Sequence, residues 1–258
     1  MDLQLPLENN QKLHTFVRKI SEDIELDQLY RCANINAVER GHINDHGVVH
    51  IKLVAMSALK ILRLLIQAGV VPSVVANYQM TNEDAELIVV AAPCFHDIGI
   101  SIHRDDHEQL SLILAQGKLK DLLEGIYTIR ERVIVTSEIL HAMIGHRWDV
   151  RCLTVEAGAV KLADALDMSK GRSRIPFEKG KVDIHSVSAA AIDSVQIKPG
   201  ESKPVLVVIE MNNSAGIFQV DELLKRKLRN SGIEQHIEVQ VHIEEVSEKR
   251  ILKSYHFP

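Results

Sequence analysis

Aromatic residues are scarce: one Trp, four Tyr and five Phe in 258 residues. That leaves little from which to build a base-stacking platform for nucleic acid. Excess positive charge is lacking too, since 30 Lys and Arg face 35 Asp and Glu, for a net charge of −5. Gripping a phosphate backbone needs clustered positive charge, so nucleic acid is not an expected partner. Long hydrophobic runs are missing as well. The longest, Leu87 to Phe95, has nine residues, against about 20 for a bilayer-spanning helix, so no membrane partner is expected. The stretch Met1 to Asn10 is polar and acidic and has no apolar signal core, which leads us to expect a cytoplasmic protein. Cysteine is rare: Cys32, Cys94 and Cys152 are far apart and form no C-x-x-C pair. They exclude a disulfide framework and a thiolate zinc site.

What remains is an ordinary globular composition, 46% hydrophobic and 25% charged. The length suits one sizeable core plus a smaller second one. From the N-terminus to about Lys170 the pattern is helical. Gly47 to Ala68 sets Lys52, Lys60, Arg63 and Gln67 on one face and leaves Leu53, Val54, Ala58, Ile61 and Leu65 for the core. Thr81 is the expected N-cap of a helix running towards Asp97, with Gly99 as its stop. Asp105 and Glu108 have capping-box spacing, which predicts a helix from there to Gly117. Further helices are expected over about Ile129 to His146 and from near Thr154 to Gly171. The run Lys170 to Lys181 (KGRSRIPFEKGK) carries five basic residues, one acidic one, two Gly and a Pro, and reads as a basic linker. Beyond it the period changes to two: Ile237, Val239, Val241 and Ile243 alternate with polar residues. Residues 182–258 therefore read as a small α+β domain of order β-β-α-β-β, after a helical domain over residues 1–175. An edge strand of its sheet is a simple surface for a homodimer.

Histidine is the abundant residue. There are 13, and eight fall between His42 and His146. His50 lies on the apolar face of its helix. His96 and Asp97 end the Thr81 helix, and Asp164 sits in the apolar setting VKLADALD. Carboxylates in apolar surroundings are rarely tolerated unless paired or bound to a metal. Histidine with carboxylate suits a divalent ion of the Mn, Fe, Zn or Mg group, and ligands from several helices can converge inside a bundle. Taken singly, each of these histidines also fits a hydrogen-bonded core or surface role, and Asp164 has Lys161 at ion-pair spacing on its own helix.

The ordered set, with FHDIG at Phe95 to Gly99 and KLADALD at Lys161 to Asp167, resembles the HD-domain superfamily of metal-dependent phosphohydrolases, whose signature is H…HD…D. The resemblance spans about residues 30 to 175. It implies a mainly α HD-domain helical bundle, with His50, His96, Asp97 and Asp164 as ligands of a first metal. Many members hold a second ion on further histidines. The matching positions here are His107 and, on the next helix, His146 or His141. His146 shares a stripe with Val135, Ile139 and Ala142, whereas His141 lines up with Ile134 and Ser137; both stay open. In the two-metal form Asp97 would bridge the ions. The cofactor is then one or two divalent metal ions.

Two departures stand out. The usual HD-x-G-K has Ile100 in place of lysine, and Pro93 precedes the HD pair, where a proline costs a helical hydrogen bond. Replacement cations for phosphate are Arg172, Arg174, Arg104 and Lys52. The resemblance implies hydrolysis of a phosphomonoester or phosphodiester by in-line attack of a metal-bound hydroxide, with a small phosphorylated substrate, a nucleotide by analogy with the family. The alternative is a non-catalytic metal- or nucleotide-binding module that acts as a regulator or scaffold.

Overall fold

A computed structural model describes residues 3–7, 10–168 and 184–243. The helical part runs α1 (Gln11–Glu22), α2 (Ile24–Asn34, continued by a π-turn over Ile35–Arg40), α3 (Val48–Gln67), α4 (Ser73–Tyr78), α5 (Asn82–Phe95), α6 (His107–Leu123), α7 (Ile129–Gly145) and α8 (Val155–Leu166). Its centre is α5, in which every residue from Leu87 to Phe95 is buried. A helix that is apolar all round has to be enclosed by others, and α1, α3, α7 and α8 surround it. Thr81 caps it as expected: the Asp84 carboxylate accepts from both the backbone N–H and the hydroxyl of Thr81, each at 2.9 Å.

Pro93 does not end α5. The helix passes through it to Phe95, and the His96 N–H donates to the Ala92 carbonyl at 3.0 Å.

Three expectations are corrected. Leu53 is 45% exposed, while Val54, Ala58, Ile61 and Leu65 are buried. It shares the outward face of α3 with Val49 and Met56, one step round the helix from the stripe that starts at His50. The Asp105/Glu108 cap does not form. Instead α6 starts at His107, after Asp106 in a left-handed conformation (φ 56°), and it continues past Gly117 to Leu123. Helix α8 begins at its Thr154 cap but ends at Leu166, short of Gly171.

The C-terminal region comprises α9 (Ile184–Ala190), β1 (Ile192–Pro199), β2 (Val205–Met211), a helical stretch whose π part (Gln219–Leu224) leads into α10 (Lys225–Arg229), and β3 (Ile237–Ile243). Strand β2 is central, antiparallel to β1 and parallel to β3. Of the apolar positions along β3, Ile237 is buried and Val239 half-buried, and Val241 and Ile243 are exposed. The fourth strand of the expected order falls in 244–258, and the basic linker Lys170 to Lys181 falls in 169–183; both lie outside the described residues. This region leans on two helices of the bundle. The hairpin strands touch α3, and α10 with its preceding π-turn touches α8. At Gly158 of α8 a Cβ would stand 2.4 Å from the Ser231 carbonyl oxygen, so only glycine allows this approach.

Candidate metal centre

Five helices end, begin or pass at one point. His50 lies in the first turn of α3, His96 follows the last residue of α5, His107 opens α6, His146 follows α7, and Asp164 lies near the end of α8. Asp97 sits among them at 5% exposure.

Helix ends carry backbone groups with no partner inside the helix, and two of these histidines use them. His96 Nδ1 donates to the Pro93 carbonyl at 2.9 Å, and His146 Nδ1 to that of Met143 at 2.5 Å. His107 Nδ1 donates to the Arg104 carbonyl at 2.9 Å, and His50 Nδ1 to Asp167 Oδ2 at 2.6 Å. Each ring is therefore held through Nδ1, which turns its Nε2 inwards. That is the arrangement a histidine ligand requires.

The inward atoms form two groups that meet on Asp97. Asp97 Oδ2 lies 3.4 Å from His50 Nε2 and 3.2 Å from His96 Nε2. Asp164 Oδ1 lies 3.5 and 3.7 Å from the same two nitrogens. The other oxygen, Asp97 Oδ1, lies 3.2 Å from His107 Nε2 and 3.8 Å from His146 Nε2. Both His50–His96–Asp97 and Asp97–His107–His146 could hold a metal ion.

The electrostatics suit a cation. Burial opposes the charge on Asp97, yet His96, His107 and His50 hold its carboxyl well below the usual range. Burial likewise opposes Asp164, and Lys227 followed by His96 holds it low. Burial also opposes protonation of His96, but Asp97 and Asp164 outweigh it and raise that histidine to about 9. Burial and the neighbouring His96 push His146 down to about 3. A proton on His96 thus balances two buried carboxylates, a role that a divalent ion would take over on binding. The donor set of imidazoles and carboxylates fits such an ion.

His141 is not brought into either group. Its Nε2 accepts from the Leu153 N–H at 3.0 Å, and burial lowers its pKa. Of the phosphate candidates, Arg104 reaches the centre and the others are not seen there. Arg104 is exposed, with Nη1 at 3.0 Å from His107 Nε2. Lys52 donates to Gln4 Oε1, away from the centre. Arg172 and Arg174 lie outside the described residues. Lys161 does not pair with Asp164; fully buried, it donates to the carbonyls of Arg147 and Val150.

Three further residues join the centre without having been singled out by sequence. Asp167 stands three positions after Asp164, on the same helix face, and that spacing was a readable signal. His46 Nε2 lies 4.0 Å from Asp97 Oδ2, and its four-residue offset from His50 was a weaker one. Lys227 donates to Asp164 Oδ2 from α10, a contact that nothing local announces. A last detail concerns Gly99. A Cβ there would meet the His107 carbonyl oxygen at 2.2 Å and the Ser111 nitrogen at 2.6 Å, and its own N–H donates to Ser111 Oγ at 2.9 Å.

Among known proteins, the family model described as HD domain matches residues 49–169, a span that includes His50, both groups around Asp97, Asp164 and Asp167. The chain is also 40% identical over 235 residues to Uncharacterized protein MJ1020 of Methanocaldococcus jannaschii, covering 91% of this chain and 86% of that relative. No solved structure matches. Among the described residues no helix is long and apolar enough to cross a membrane.

Proposed function

Because this chain belongs to the HD-domain family, we propose that it is a metal-dependent phosphohydrolase acting on a small phosphomonoester or phosphodiester. The observation that carries the reading is the division of Asp97: one oxygen faces His50 and His96, the other faces His107 and His146. A carboxylate placed in this way would serve two ions at once. Divalent ions, when bound, supply Lewis-acid activation of water and neutralise charge on phosphoryl oxygens. The protein's own part is positional. Asp167, Pro93, Arg104 and Met143 fix the four imidazoles, so the ligand atoms are ordered in advance and need little rearrangement. Burial of Asp97, His50 and His96 keeps bulk water away from these ligand atoms.

A nucleotide is the substrate class we favour, by analogy with the family, and a homodimer is part of the same proposal. The test is elemental analysis of the purified protein followed by a phosphoester screen, nucleotides included, with the metal found restored. Release of phosphate or of a phosphomonoester product is expected. Stoichiometric metal with no turnover of any phosphoester would overturn hydrolysis and favour the binding module.

A further inference from the structure

The centre holds three carboxylates, Asp97, Asp164 and Asp167, and a phosphoryl substrate would bring more negative charge to it. A fixed cation of the protein would add to the ions in stabilising the charge that spreads over phosphoryl oxygens. The place after the HD pair where the family often carries lysine is unavailable. Ile100 is fully buried there against Ala33 and Ala37, so that position serves packing. Lys161 is equally unsuited, because its ammonium is enclosed and engaged on backbone carbonyls.

Lys227 differs from both. Its ammonium engages Asp164 Oδ2, the oxygen turned away from His50 and His96, and its side chain keeps 20% exposure. An ammonium has three donors. Among the described residues Asp164 is its one hydrogen-bond partner, which leaves donors for a ligand. The lysine is also held firmly. Three residues further on, Asn230 Nδ2 donates to the Trp148 carbonyl at 3.0 Å, and the Asn230 carbonyl accepts from the Cys152 N–H at 2.8 Å. The Ser231 carbonyl lies directly over Gly158 of α8. These contacts hold the end of α10 against α8 and the segment just before it.

We propose that Lys227 is a substrate-recognition residue of the Asp97 centre: anchored on Asp164, it presents its ammonium to the phosphoryl oxygens and makes the C-terminal region a functional part of the site. This rests on the phosphohydrolase reading above.

The test compares wild type, Lys227→Met, Lys227→Gln and Lys227→Arg after metal loading, and reads metal per chain, inorganic phosphate affinity by calorimetry, and KM apart from kcat. In the Met and Gln variants metal content should equal that of wild type. Phosphate affinity should fall about 10- to 100-fold, the range for losing a charged hydrogen bond, and KM should rise alongside. Arg should restore most of the affinity. Unchanged phosphate affinity in both Met and Gln, while wild type turns over phosphoester, overturns the role of Lys227 and leaves the phosphohydrolase reading standing. Loss of metal in both shows that Lys227 only positions Asp164, and overturns it too. A wild type that binds metal but neither binds phosphate nor turns over phosphoester fails at the earlier reading.

Discussion

The helical part and the C-terminal region bury polarity in different ways. Among the described residues, the buried His, Asp, Glu and Lys side chains His50, Asp84, His96, Asp97, His107, Glu138, His146, Glu156 and Lys161 all lie in the helical part. The buried polar residues of the C-terminal region are neutral: Ser188, Asn212, Gln219 and Ser231. Burying a charge is costly unless it is paired, so each buried charge needs a reason. Several have structural ones. Asp84 caps α5 and accepts from Lys12 and Tyr127 at 2.7 and 2.8 Å. Glu156 accepts from the N–H groups of Ser73 and Val74 at the start of α4. The His50, His96, Asp97, His107 and His146 set has no such structural use. Its members face one another, and that separates a site from a scaffold.

Replacing one buried aspartate of each kind gives the sharpest contrast. Asp97→Ala should remove bound metal and phosphoester turnover together, with the helical fold retained by circular dichroism. Asp84→Ala should do the reverse. It leaves Lys12 and Tyr127 without their partner and α5 without its cap, at about 2–3 kcal/mol of stability, with metal per chain unchanged. Wild-type metal content in Asp97→Ala would erase the distinction between the two.

A smaller effect separates the halves of the centre. His107→Ala and His146→Ala should each lower metal per chain from two towards one, and His141→Ala should leave it at two. If none of the three changes the count, a single-ion site on His50, His96, Asp97 and Asp164 remains.

The smallest effect is the pH dependence of the metal-free protein. His96, raised to about 9, contributes stability that is complete below its ordinary value of about 6.5 and is lost as pH rises through 9. His146, lowered to about 3, contributes stability present above 6.5 and lost as pH falls through 3. Asp97 and Asp164, also held low, strengthen the acid side. The urea midpoint should therefore peak near pH 6.5 without metal and flatten on the alkaline side once metal has replaced the His96 proton. An alkaline slope that is identical with and without metal would contradict this.

How far the sequence carried the reading depended on where each signal lay. The order His50, His96-Asp97, Asp164 was legible because the HD pair closes a helix apolar on every face and Asp164 lies in another apolar setting. The stripe with Val135, Ile139 and Ala142 favoured His146 over His141 without closing the choice, because it depends on where α7 stops: His146 is already past the last helical residue and turns back onto the Met143 carbonyl. The start of α6 was misread for a related reason. Asp106 adopts a left-handed conformation there, and spacing alone does not reveal a backbone sign. Lys227 was beyond reach altogether, since its partner lies 63 residues earlier and only the docking of α10 on α8 joins them.

The missing side chain at Gly99 reaches further than its own turn. The His107 carbonyl and the Ser111 nitrogen rest where a methyl group would be, so the backbone after the HD pair and the first turn of α6 are in direct contact. The separation between the His50 side of Asp97 and its His107 side is therefore gauged by touching main chains, which have no rotamers to adjust. A single carbon at this position would act as a spacer, moving His107 outwards while leaving His50, His96 and Asp164 in place. Gly99→Ala is therefore expected to disturb the Asp97–His107–His146 group before the His50–His96–Asp97 one.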